Sequence, residues 1–193
     1  MPWSPEHKPE TRARILDAAA AAFRERGVAE VGLAEIMRSA GLTHGGFYGH
    51  FRSKDELVAA TVPHAAQDSE ASLARMARDA APQDVLGRVE AYLSPEHREH
   101  PERGCQLAAN GPELTRGTRS VRAALAVEVR RRLHALIDLC PGRRAAVARR
   151  QAAGALACMI GGMILARAVP EAESAAILAD VRAFARDALA AID

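Results

Sequence analysis

The stretch LAEIMRSAGLTHGGFYGHFRSKDEL, residues 33–57, decides the fold. Leu33, Ile36, Met37 and Ala40 recur at helical spacing, and Gly41 supplies the left-handed backbone that a tight reversal needs. Leu42, Phe47 and Phe51 are spaced to pack back onto the first of the two helices so formed, which makes the pattern a helix-turn-helix. Braced from behind in this way, the second helix turns His44, Tyr48 and His50 outward, with Lys54 just beyond. An outward helix of this kind suits insertion into a DNA major groove with phosphate contacts at its flanks.

The flanking boundaries follow from local chemistry. Upstream, residues 10–26 put Ile15, Ala18, Ala19, Ala22 and Phe23 on one helix face and Arg12, Arg14, Arg24 and Glu25 mostly elsewhere, and Gly27 ends that helix as its C-terminal cap. Downstream, Ser53 with Glu56 three residues later forms a Ser-x-x-Glu capping box that opens the next helix. Thr43 is the natural N-cap of the outward helix, whose first backbone donors and positive dipole end can meet a phosphate. Lys54 stands in a first helical turn, where a cation opposes the dipole unless an anion compensates it, and DNA phosphate fits that need. Gly45 and Gly46 cost about 1 kcal/mol each in helix propensity. Close approach of the backbone to a groove is one reason to accept that cost. His44 is suited either to donate to guanine or to lie over the backbone.

The residues Ala40-Gly41-Leu42-Thr43-x-Gly45-x-x-Tyr48-x-His50-Phe51-x-Ser53-Lys54-x-x-Leu57 resemble the signature of TetR-type (TetR/AcrR) transcriptional regulators, and residues 11–27, TRARILDAAAAAFRERG, are similar to that family's first helix. The resemblance implies an all-α chain: an N-terminal arm at 1–9, a three-helix helix-turn-helix DNA-binding domain at 10–60, and a helical effector-binding and dimerisation domain at 61–193. It further implies a homodimeric repressor, released from a palindromic double-stranded DNA operator by a small-molecule effector. The DNA contacts it implies are Thr43, His44, Gly45, Gly46, Phe47, Tyr48, His50 and Lys54. Gly46 departs from the threonine, serine or alanine more usual in the family, and His44 from a common lysine, and both departures bear on operator sequence.

Composition is consistent with helices. With 193 residues and 49% hydrophobic content the chain can bury an extensive core, as one globular unit or as a small domain joined to a larger one. Only 4% is aromatic and alanine dominates, which favours closely packed helices over strands. The net charge is +2, and the first 60 residues hold eight basic and eight acidic side chains, so phosphate contacts there must be local. Cys105, Cys140 and Cys158 are an odd set without C-x-x-C spacing, which points to a reduced cytoplasm and to neither a disulfide scaffold nor a structural zinc site. His97, His100 and Cys105 cross a loop and lack a fourth ligand, so no metal and no cofactor is expected. The segment MPWSPEHKPE carries no export pattern. The uncharged run 152–166, bounded by Arg149, Arg150 and Arg167, falls short of the roughly 20 residues of a membrane span and reads as a buried helix, with no membrane partner.

Beyond the helix-turn-helix the organisation is coarser. Pro63 is expected to break, kink or split the helix that begins near Lys54. Pro82 opens a helix with Val85, Leu86, Val89, Tyr92 and Leu93 on one face, and 94–104 reads as a loop with at most one helical turn. Helices are expected over 105–114, 118–139, 143–168 and 171–191. The run 152–166 is apolar nearly all round, with Gly154, Gly161 and Gly162 open to close approach. It is either a central helix of one protomer or, as the resemblance implies, a dimer interface shared with the last helix. Between residues 116 and 150 ten arginines face two acidic residues, the pattern of a solvated face with ion pairs between helices.

An effector pocket among the middle helices would have Tyr92 and Asn110 as polar anchors, with Cys105 beside them in the chain. Cys105 follows Arg103 and Gly104 at a helix start, a setting that favours a thiolate, so a thiol-based redox or electrophile sensor is the second reading. A small enzyme using Cys105 with His97 or His100 would lack an orienting third group and an oxyanion loop, and no residue is assigned as catalytic.

Overall fold

The computed structural model describes residues 7–76, 85–138 and 142–190, and every element among them is helical, as expected. In chain order these are α1 (His7–Arg26), α2 (Leu33–Ser39), a 3-10 helix (His44–Gly49), α3 (Lys54–Met76), α4 (Val85–Tyr92) and α5 (Pro95–Glu99). A 3-10 turn (Pro101–Arg103), α6 (Gln106–Thr115), α7 (Arg119–Asp138), α8 (Ala145–Ala168) and α9 (Glu171–Ala190) follow. The chain divides into two compact units, Met1–Asp68 with Pro101–Ala126, and Ser69–His100 with Val127–Asp193.

The first unit is built around α1. Its buried stripe is Thr11, Ile15, Leu16, Ala19, Ala20, Phe23 and Arg24, rotated from the expected face: Ala18 and Ala22 are only half-buried, and Arg24 is inside. The alanines gave no directional signal, and the burial of Arg24 depends on partners far along the chain. Its guanidinium donates to the Ala65 carbonyl at 3.2 Å and to the Asp68 carboxylate at 2.6 Å, both in α3. These bonds also bear on Pro63, which does not break α3 as expected. Proline removes one backbone donor, but α1 grips α3 just beyond it, through Arg24 and through Asp17, which lies 2.6 Å from His64 Nε2. Ile15, Phe23, Ile36, Met37, Phe47, Phe51 and Leu57 are fully buried, each worth about 1.5–3 kcal/mol of burial free energy.

A second brace comes from α6. The Asn110 amide donates to the Phe23 carbonyl at 2.7 Å, and the Glu113 carboxylate accepts the backbone N–H groups of Val28 and Ala29 at 2.9 and 3.0 Å. Gly27, at φ 91, ends α1 just before that point as expected.

In the second unit α8 packs along α9. Ala148, Ala152, Ala155, Leu156, Met159, Gly162, Met163 and Ala166 form the buried stripe of α8, while Ile164 and Leu165 of α8 and Phe184 of α9 remain exposed. With its flanking arginines α8 reaches 24 residues, so by length and composition it is long enough to cross a membrane, which the shorter uncharged run did not suggest. Of its three glycines only Gly162 is needed within one protomer: a Cβ there would stand within 3.0 Å of Val181, whereas Gly154 and Gly161 border open space.

The segment expected as a loop after Leu93 is largely helical. Ser94 accepts the His97 N–H at 3.1 Å as the N-cap of α5, and Pro95 takes the first position, where its missing donor costs nothing. Arg167 of α8 then donates to the carbonyls of His97 and Arg98 at 2.7 and 3.2 Å. Some of the basic stretch is paired: Arg131 reaches Glu70 of α3, an ion pair between helices as expected, while Glu128 accepts from Arg131 and Arg132 within α7. Pro82, Leu139 and Cys140 lie outside the described residues.

Candidate nucleic-acid interface

The turn after α2 is a Schellman arrangement: Leu42 N–H donates to the Met37 carbonyl at 2.8 Å and Gly41 N–H to the Arg38 carbonyl at 2.9 Å. Gly41 has φ 68, and Arg14 of α1 donates to the carbonyl of Ala40 beside it. Leu42 is half-buried, and Phe47 and Phe51 are buried with ring centroids 5.8 Å apart.

The outward helix is a 3-10 helix over His44–Gly49, with i to i+3 bonds such as Gly46 N–H to the Thr43 carbonyl at 3.0 Å. Three glycines in six residues leave little α propensity, and the buried Phe47 fixes the winding instead. Thr43 occupies the N-cap position with extended backbone, but its hydroxyl makes no capping bond, contrary to its expected side-chain role. Tyr48 is 64% exposed, edge-on to Phe47 at 5.3 Å and to His44 at 6.4 Å. Gly45 and Gly46 are exposed, and a Cβ on Gly45 would meet nothing within 4 Å, so no contact inside the protein requires glycine there. Phe47, in contrast, is fully buried and supports this surface from behind in place of the direct contact expected of it.

At the start of α3, Ser53 Oγ accepts the Glu56 N–H at 3.1 Å and the Glu56 carboxylate accepts the Arg52 N–H at 2.8 Å, the reciprocal cap shifted by one residue. This leaves Lys54, half-buried, as the first residue of α3. His50 closes the 3-10 helix, also half-buried, and burial, then the charges of Lys8 and Arg12, hold its imidazole below the usual histidine range. The Arg12 guanidinium lies 4.6 Å over the Phe51 ring. Lys8 and Arg12 were missed from sequence. Their separation by one helical turn was visible, but which way α1 faced was not.

Residues 15–61 match the family model described as bacterial regulatory proteins, tetR family. That match covers the helix-turn-helix region, about a quarter of the chain. Among its relatives, the HTH-type transcriptional regulator TtgR of Pseudomonas putida is 43% identical over 88 residues, which are 46% of this chain and 41% of TtgR. The matched stretch thus spans about two fifths of that relative. The TetR-type fold extends further. A TetR-family regulator from Cytophaga hutchinsonii superposes with TM-score 0.76 at 18% identity, over 100% of this chain and 98% of that one. The reduced form of E. coli NemR superposes with TM-score 0.74 at 21% identity, over 92% and 96%.

The residues expected beside an effector fall into different compact units. Cys105 and Asn110 belong to the first, and Tyr92 to the second. Tyr92 is buried, with its ring 4.7 Å from that of His97, whose Nδ1 lies 2.6 Å from the Tyr92 carbonyl oxygen. Asn110 spends its amide donor on α1, and its Oδ1 is buried without a hydrogen-bond partner. Gln106, one turn before it on α6, has both amide atoms buried and unpartnered. Cys105, at the N-cap of α6, is fully buried, whereas reactive thiols are partly exposed, so its position disfavours thiol sensing. Burial also raises the Cys158 thiol above the usual cysteine value.

Proposed function

We propose that this chain is a sequence-specific DNA-binding transcriptional regulator: a cytoplasmic homodimeric repressor that holds a palindromic double-stranded operator and leaves it when a small-molecule effector binds. In this reading residues 1–9 are an arm, 10–60 the DNA-binding domain and 61–193 the effector-binding and dimerisation domain. Its role is binding, not catalysis. The observation that carries the reading is the contrast between neighbours in the 3-10 helix: Phe47 is fully buried and Tyr48 is 64% exposed. A large aromatic held out beside bare glycine backbone, with a lysine leading the next helix, suits a groove edged by phosphates. The name of TtgR, a transcriptional regulator, supports the same conclusion.

Dimerisation through α8 and α9 is supported by Ile164, Leu165 and Phe184, large apolar side chains left exposed in one protomer. Two helices from each of two protomers make a four-helix interface, and its two-fold axis calls for a two-fold operator. An effector releases DNA only by binding better to the arrangement in which the two reading helices are mis-spaced, and the coupling equals that difference in affinity.

The test is binding to the DNA upstream of the protein's own gene, measured for the natural chain and for Tyr48→Ala and Lys54→Ala. Each substitution should weaken binding by roughly tenfold, the order of a lost charge-assisted or phosphate contact, while the helical signal stays unchanged. Unchanged affinity in both variants would contradict the assignment.

A further inference from the structure

Two cations of α1 act on His50, the residue that caps the 3-10 helix. Lys8 is exposed, Arg12 lies over Phe51, the neighbour of His50, and both charges act on the His50 ring. His50 Nδ1 is buried and has no hydrogen-bond partner. Among the described residues Nε2 makes no hydrogen bond, and unlike Nδ1 it is not a buried, unpartnered atom, so it is the edge of the ring open to a ligand. Among other charges nearby in the fold, Lys54 adds a third cation at the start of α3, and Glu56 is engaged by the Arg52 N–H. Like charges one helical turn apart, as in Lys8 and Arg12, repel modestly, and adding a charge on the imidazole would raise that cost. One anion set against Lys8, Arg12 and His50 offsets that cost, because it attracts each of the three and so favours the charged imidazole.

We propose that a DNA phosphate binds against Lys8, Arg12 and the Nε2 edge of His50, and that His50 takes up a proton from solvent as it does so. The DNA-contact surface then extends from the 3-10 helix onto α1, and DNA affinity becomes proton-linked. This rests on the DNA-binding reading above. No covalent bond changes; the proton comes from bulk water and stays on the ring while the phosphate is bound. The free imidazole sits below its usual value and the phosphate-bound one above it, so binding is strongest at low pH and the gain is lost as pH rises through the bound-state value.

The experiment uses the full chain and a mixed-sequence duplex of about 30 base pairs, roughly three helical turns, since phosphate contacts do not depend on sequence. Affinity is followed by fluorescence anisotropy from about pH 8 to about pH 5.5, the range in which histidine titrates. The natural chain should bind more tightly as pH falls, by at most about tenfold per pH unit for one linked proton. His50→Gln should lose that slope. Lys8→Ala, an exposed position that cannot disturb packing, should lower the salt dependence by about one counterion and flatten the pH slope. The His50 ring resonance, followed by NMR, should titrate at higher pH once DNA is added. A full pH slope in His50→Gln, or an unmoved His50 titration, overturns the inference. If Tyr48→Ala and Lys54→Ala lose affinity in that same series, the DNA-binding reading survives its failure; if the natural chain does not bind the duplex at all, both fall.

Discussion

Glu113 and Val28 are joined across 85 positions of sequence by a 2.9 Å hydrogen bond, in which the Val28 backbone N–H donates to the Glu113 carboxylate. Ala29 donates to the other oxygen, so one side chain of α6 holds the turn that connects α1 to α2. Burial by itself would raise the Glu113 carboxyl, but the two backbone donors, the Asn110 amide and Arg116 together outweigh it and hold it below its ordinary value.

We therefore expect Glu113→Ala to destabilise the chain by about 1–3 kcal/mol, the cost of leaving backbone donors without their charged acceptor. Thermal unfolding followed by circular dichroism checks this. A carboxyl with a lowered folded value contributes stability that is present above its unfolded value, near 4.5, and is lost as pH falls through the folded one. The loss of stability on acidification below that point should accordingly be shallower in Glu113→Ala than in the natural chain.

The glycines of α8 should separate by position. Gly162→Ala forces a methyl against the stiff Val181 side chain and should cost about 1–3 kcal/mol by overpacking. Gly161→Ala has room within one protomer and should be neutral or gain up to about 1 kcal/mol of helix propensity. If α8 and α9 pair between protomers, Phe184→Arg should yield folded monomers in sedimentation velocity. A Phe184→Arg chain that sediments like the natural one would remove that interface.

Cys105 should resist alkylation. With the side chain fully buried, iodoacetamide should leave the Cys105 peptide unmodified in the native chain and label it after denaturation, as read by peptide mass spectrometry. Rapid native labelling would restore the thiol-sensing reading.

Local chemistry accounts for what was legible in sequence. Gly27 and Gly41 mark their reversals, Ser53 and Glu56 cap α3, and the helix ends after α6 fall within a few residues of expectation, because each signal lies within a turn of its effect. What escaped depends on distant partners. The inward turn of Arg24 meets Asp68, α3 runs on past Pro63 where Asp17 and Arg24 of α1 bond to it, and the brace from Glu113 meets Val28. In α1 five alanines at 18–22 hide the helical phase, so the core-facing side was misjudged by a fraction of a turn. In the candidate interface, the exposure of Tyr48 and the place of Lys54 at the start of α3 were legible from spacing, whereas the charges of Lys8 and Arg12 act on His50 only through the packing of α1.

The 3-10 helix has an implication for how an operator would be discriminated. Gly45, Gly46 and Gly49 are bare and Phe47 is turned inward, so over these six residues only His44 and Tyr48 project outward side chains of any length. Two side chains can interrogate few base edges. Selectivity would then have to come largely from the bending stiffness and groove width of the DNA itself, and operators differing in letters but alike in deformability would be hard for this protein to tell apart.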